Sequence, residues 1–133
     1  MIKGLSIRSI FRATPANRFE LADRVKLVGV KVGKSKTLQK PKAICQSFTN
    51  GDRIKYSTSL TFMGGDKVVM SCSCDDFMYR WEYALAKKGG AEIRYGNGEH
   101  PGTTNPGLAI GCCKHTIALY NKLHAEKLLP GMV

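Results

Sequence analysis

The first half of the chain alternates apolar and polar residues in short runs, which is the pattern of half-buried β-strands. Asn50-Gly51 and Gly64-Gly65 separate these runs and are typical of tight turns. Strands are predicted over residues 25–32, 43–48, 53–62 and 67–70. We therefore expect a small antiparallel sheet, with no strand before Val25.

The second half of the chain changes to a helical period. Its apolar residues follow an i, i+4, i+7, i+8 spacing that forms one stripe on a helix: Phe77, Trp81, Ala84 and Leu85. Asp75 and Asp76, just before this stripe, are typical of a helix N-terminal cap. The predicted elements are helices over residues 77–88 and about 112–128, a short strand over 91–95 and a glycine-rich loop over 96–111.

These elements predict an α+β fold in which a small antiparallel sheet is followed by two helices. The length of 133 residues suits one domain, which we place at residues 25–133. Residues 1–24 have no clear period and are interrupted by Pro15, so we expect a basic N-terminal arm whose removal leaves the sheet intact. No apolar stretch reaches the roughly 18–20 residues that a membrane span needs, so no membrane partner is expected.

The net charge of +11 is distributed unevenly. Residues 1–42 contain eleven basic residues against Glu20 and Asp23, which gives +9 and leaves +2 for the remainder. This asymmetry predicts an anionic partner, and the alternative is a solvated basic surface. The candidate residues for such contacts are Lys31, Lys34, Lys36, Lys40, Lys42 and Lys114.

Five cysteines are present, and four of them lie in two tight clusters. A secreted disulfide framework would have an even number at wider spacing, and the N-terminus has no apolar signal region. We therefore expect a reducing, intracellular location. The Arg-rich, acid-free N-terminus allows the alternative of an organelle transit peptide. Cys45, alone in a predicted strand, is expected in the core.

The two cysteine clusters predict a structural zinc site. Cys72 and Cys74 stand two residues apart at the end of a predicted strand and so face the same side. Cys113 and His115 open the last helix, whose N-terminus favours the thiolate form. Three thiolates and one imidazole form a closed tetrahedral set for one Zn²⁺ ion, without a position for substrate. The alternative ligand at this point of the chain is Cys112 instead of Cys113.

The pattern VVMSCSCDDF followed by GCCKHTIAL, within residues of about 67–120, resembles the SWIM-type zinc finger. That resemblance implies a ββα zinc module that binds DNA or proteins and has no activity of its own. The chain departs from the family by the long insertion of residues 75–112 between the half-sites. Such an insertion is compatible with the site, because each doubling of loop length raises the entropic cost of closing the loop by only about 0.6 kcal/mol. The sequence also resembles small SWIM proteins encoded by tailed phages, which implies a place within a phage particle.

Enzyme motifs are missing from the sequence. It contains neither the H-x-E and P-C-x-x-C pair of zinc deaminases nor the H-E-x-x-H of proteases, and its glycine-rich loop lacks the P-loop ending. We therefore expect neither enzymatic activity nor a small-molecule substrate. The expected role is a structural subunit that docks onto protein partners in a large assembly such as a phage virion. The alternative is a nucleic-acid-binding accessory protein that uses its basic N-terminal part.

Overall fold

One antiparallel sheet of five strands organises the protein. A computed structural model describes residues 3–32, 42–49, 55–96 and 98–126. The strand order is β1-β5-β4-β3-β2. The strands are β1 (Leu5–Ser6), β2 (Val25–Val32), β3 (Lys42–Thr49), β4 (Tyr56–Gly64) and β5 (Lys67–Cys72). The four predicted strands of the first half are thus confirmed, with β5 extended to Cys72.

The turn predicted between β4 and β5 is also confirmed. Gly64 and Gly65 both have positive φ values there, 109° and 57°, which side chains disfavour. The other predicted turn, at Asn50-Gly51, lies outside the described residues. The strand predicted over residues 91–95 is wrong, because residues 91–96 are described and contain no strand.

Residues 3–24, which we predicted to form an arm, contribute to the core. The expectation that no strand precedes Val25 is wrong, because Leu5 and Ser6 pair with Val68 and Lys67 of β5. Two helices follow, α1 (Ile7–Ala13) and α2 (Ala16–Ala22). Ile7 and Ile10 are buried, so this basic segment also supplies apolar packing.

The remaining helices follow the sheet. A π-helical turn, Phe77–Trp81, runs directly into α3 (Glu82–Lys87), and α4 spans Lys114–Ala125. The whole predicted apolar stripe is buried: Phe77, Trp81, Ala84 and Leu85. Helix α4 packs against α2 and across β2 to β5, where it buries Ile117 and Leu123. Within the described ranges, no helix is long and apolar enough to cross a membrane.

This architecture is α+β, as predicted, but it differs from a ββα finger. The sheet has five strands rather than two, and two helices precede β2. After β5 the chain forms the π-helical turn, α3 and an irregular segment before it reaches α4. The ββα order that the family resemblance implied is therefore not supported.

Candidate metal centre

Four chemically suitable side chains meet beneath the N-terminus of α4. They are Cys72, Cys74, Cys113 and His115, and one potential ligand atom from each lies within 4.8 Å of all the others. Their exposed fractions are 0%, 4%, 0% and 2%. Two distant parts of the chain therefore form one buried group that could bind one metal ion.

The first half of the group is positioned by the sheet. Cys72 is the last residue of β5 and pairs with Thr58 of β4, whose hydroxyl is hydrogen-bonded to the Cys72 sulfur at 3.2 Å. One residue further, the Ser73 amide donates to the Ser57 carbonyl at 3.1 Å, so the strand-like geometry continues. Cys74 consequently lies on the same side of the chain as Cys72, as the alternation of a strand requires.

Cys74 also begins the following helical segment. Its sulfur accepts a hydrogen bond from the Phe77 amide at 3.4 Å, and its carbonyl accepts one from the Met78 amide at 3.0 Å. A donor three residues ahead is the usual partner of an N-cap side chain. The thiol thus takes the role that the sequence suggested for the two aspartates. An amide bond to sulfur also suits a thiolate ligand, because it stabilises the negative charge.

Asp76 has a different role from the predicted cap. Its side chain makes no cap hydrogen bond, so that prediction is wrong for this residue. The carboxylate instead accepts bonds from Arg18 of α2 at 2.7 and 3.2 Å and from the Trp81 indole at 3.2 Å. The hydrogen bond to Asp76 raises the pKa of Arg18. This pair ties the N-terminal helices to the segment that carries Cys74, and the local sequence gave no signal for it.

The second half of the group is positioned by α4. Cys113 is its N-cap residue, with an extended backbone, and its carbonyl accepts a hydrogen bond from the Ile117 amide at 3.2 Å. The Thr116 hydroxyl lies 3.2 Å from the Cys113 sulfur. His115 is in the first turn, where its ring packs against the Tyr56 ring with centroids 4.7 Å apart. The contacts with Thr116 and Tyr56 thus orient both side chains.

The structure distinguishes the two adjacent cysteines. Cys113 belongs to the group, whereas the Cys112 sulfur lies 3.6 Å from the Thr14 hydroxyl, after the end of α1. The Cys112 amide donates to the same hydroxyl at 3.1 Å, which fixes the backbone. Cys45 is buried in β3 and belongs to the core, as predicted.

The four donors interact strongly with one another. Burial, followed by the hydrogen bond to Cys113, raises the pKa of Cys72, and the hydrogen bond to Cys113 raises the pKa of Cys74. At Cys113, burial raises the pKa, but hydrogen bonds from Cys72, Cys74 and His115 outweigh it and hold the pKa well below the usual range. These hydrogen bonds therefore favour the thiolate form of Cys113. A divalent cation would compensate that charge and displace the remaining thiol protons.

The dimensions of the group suit a single tetrahedral ion. Bonds of about 2.3 Å to sulfur and about 2.0 Å to nitrogen place tetrahedral ligand atoms roughly 3.5–3.8 Å apart. The observed upper limit of 4.8 Å needs only small side-chain adjustments to reach that spacing. The donor set, its burial and its spacing therefore fit a metal ion.

The lysines predicted to contact an anionic partner are dispersed. Lys31 is exposed on β2, and Lys114 is half-buried in the first turn of α4 between two members of the group. Lys114 lines a cleft of about 390 Å³ next to the group. Lys42 is the first residue of β3, where the structure describes only its backbone. Lys34, Lys36 and Lys40 lie outside the described residues.

Comparison of the chain with protein-family models, with curated proteins and with solved structures finds no match in any of the three.

Proposed function

We propose that this protein is a non-enzymatic binding module whose fold is stabilised by one structural zinc ion, held by Cys72, Cys74, Cys113 and His115. The observation that carries the proposal is the convergence of three buried sulfurs and one buried imidazole within 4.8 Å. Thiolate-rich tetrahedral sites select zinc over the hard cations that prefer oxygen ligands.

The number of protein ligands argues for a structural rather than a catalytic ion. Catalytic zinc sites use three protein ligands and keep one position for water or substrate. Here four side chains are available, and each is at least nine-tenths buried. A tetrahedral ion bound by all four has no open position for a reacting group.

The ion would join three consecutive parts of the fold at one point. Cys72 ends β5, Cys74 begins the helical segment, and Cys113 and His115 begin α4. In a domain of 133 residues the binding energy of such an ion is largely folding energy. The resemblance to SWIM-type fingers supports this role, and we retain it as part of the proposal.

Two binding roles follow from the sequence: docking into a larger assembly such as a phage particle, and binding nucleic acid. We propose the second as the better supported, because a groove over strands β2, β3 and β4 is lined by basic and aromatic side chains. The assembly role rests on the sequence resemblance alone.

Cobalt substitution tests the closed site. Co²⁺ uses the same donors as zinc, and tetrahedral thiolate coordination gives intense visible absorption bands. We expect one Co²⁺ per chain, with tetrahedral bands that stay unchanged when azide or imidazole is added in excess. Bands that shift with either added ligand would reveal an open coordination position and contradict a structural role.

A further inference from the structure

An open groove of about 460 Å³ lies on the outer face of the sheet. Along β3 the exposure alternates, with Ile44 43% exposed and Cys45 6% exposed, so Ile44 points away from the core. Ile44 is paired with Lys31 of β2 on one side and with Ser59 of β4 on the other. The groove is thus floored by three neighbouring strands.

One side of the groove is formed by Arg94 and Tyr95, and a buried carboxylate holds the backbone at Tyr95. Glu82 is 1% exposed and accepts hydrogen bonds from the amides of Tyr95 at 3.1 Å and Gly96 at 2.7 Å. A Cβ at Gly96 would lie 2.8 Å from the Glu82 carboxylate, so glycine permits this close approach. The Tyr95 amide, at the end of the predicted strand 91–95, is therefore bonded to a side chain and not to a neighbouring strand.

The side chains around the groove have the composition of a binding surface. Val28, Ile44 and Tyr95 are three of the large apolar residues that are exposed in the described part of the chain, and all three line it. Clustering of such residues marks interaction sites, whereas isolated ones are ordinary. Lys31 and Arg94 supply positive charge, and the described residues that line the groove include no acidic residue.

A second depression, of about 420 Å³, adjoins the groove and shares Tyr95 with it. It is lined by further aromatic rings, including Tyr79, Tyr83 and His100. Tyr79 is 59% exposed and so presents a ring to solvent. We call the two depressions together the track: its first part contains Lys31 and Arg94, and its second part contains aromatic rings, hydroxyl groups and Glu99.

We infer that this track binds single-stranded nucleic acid. Single strands are bound by grooves that combine cations for the phosphates with aromatic rings for the bases, and Lys31, Arg94 and Tyr95 provide that combination. A duplex would present phosphates while its bases stayed stacked inside, which would leave Tyr95 without a partner. An acidic peptide would use the cations but would have no need for the exposed rings. The inference deepens the proposed binding function and does not depend on the zinc ligands.

The test uses the full-length, metal-loaded protein and a fluorescently labelled dT20 oligonucleotide, with affinity followed by anisotropy over a series of salt concentrations. We expect Tyr95→Ala to weaken binding about tenfold, because each stacked base contributes substantially to affinity. Tyr95→Phe keeps the ring and should keep most of the affinity. Both substitutions keep the backbone amide of residue 95, which donates a hydrogen bond to the Glu82 carboxylate.

The basic residues are tested by their salt signature. Lys31→Gln and Arg94→Gln should each flatten the log–log salt slope by about 0.7, the value for one phosphate of a single strand. Arg8→Gln, at an exposed position on α1, is the matched control and should leave the slope nearly unchanged.

Three results would overturn the inference. They are absence of dT20 binding, equal loss of affinity in the Arg8→Gln control, and binding of a duplex or of polyglutamate as tight as that of dT20. The zinc content of the same samples separates the two proposals. Zinc-loaded protein without oligonucleotide binding rejects the nucleic-acid role and leaves the zinc-stabilised fold standing, whereas protein that folds equally well without zinc rejects the structural zinc ion.

Discussion

The adjacent cysteines offer a matched pair of substitutions for the metal centre. Cys112 and Cys113 are both 0% exposed, but only the Cys113 sulfur belongs to the four-donor group. Cys113→Ser removes one thiolate ligand. Cys112→Ser leaves all four donors in place and puts a hydroxyl next to Thr14, where it can hydrogen-bond. The two variants differ little in volume and burial, so the difference between them reports on ligation.

The size of the expected effect follows from the number of donors. Structural zinc binding contributes about 10–16 kcal/mol in small domains, so one of four ligands accounts for roughly 3 kcal/mol. At about 1.4 kcal/mol per decade, Cys113→Ser should lower zinc affinity roughly 100-fold. Cys112→Ser should lower the free energy of unfolding by about 1 kcal/mol, as a typical buried substitution does, and leave zinc affinity unchanged.

Zinc content after equilibration with a competing chelator measures this difference. We expect wild-type protein and Cys112→Ser to retain about one zinc per chain, and Cys113→Ser to retain about one third or less. Thermal melts with and without added zinc should show a larger metal-dependent shift for the first two proteins than for Cys113→Ser at the same zinc concentration. Loss of zinc from Cys112→Ser with retention in Cys113→Ser would refute the assignment of the ligand.

Three further predictions concern the fold. Chelation should increase hydrogen exchange in α4 and α3 before β2 and β3, because the ion joins β5 to those helices; uniform exchange would argue against a structural ion. Gly111→Ala should lower the free energy of unfolding by about 1–3 kcal/mol, because its Cβ would lie 2.7 Å from the Trp81 ring, whereas Gly107→Ala, with open space around it, should be nearly neutral in urea titrations. Removal of residues 1–24 should unfold the protein, because Ile7 and Ile10 each contribute about 1.5–3 kcal/mol of burial; a truncated chain with a native melting temperature would contradict this.

The sequence was sufficient to predict features that are determined by the spacing of residues close together in the chain. The stripe that begins at Phe77 is buried because helical spacing alone places its members on one face. Cys72 and Cys74 share a side because alternation along a strand requires it. The two donor clusters could therefore be predicted from spacing, with Cys112 left as the alternative to Cys113.

Features set by distant contacts could not be predicted in this way. The choice between Cys112 and Cys113 depends on Thr14, 98 residues away in the chain. Asp76 accepts a hydrogen bond from Arg18, 58 residues away in the chain, instead of capping the helix. The segment 91–95 has strand-like residues, but the amide of Tyr95 at its end donates to the Glu82 side chain. In each case a tertiary partner outweighed the local preference.

The central claim is a closed zinc site built from three cysteines and one histidine. Zinc X-ray absorption spectroscopy on stoichiometrically loaded protein tests it most directly, because the spectrum reports the number and type of ligand atoms. The account predicts three sulfur atoms at about 2.3 Å and one nitrogen at about 2.0 Å. A shell containing two or fewer sulfurs, or an additional oxygen ligand from water, would contradict it.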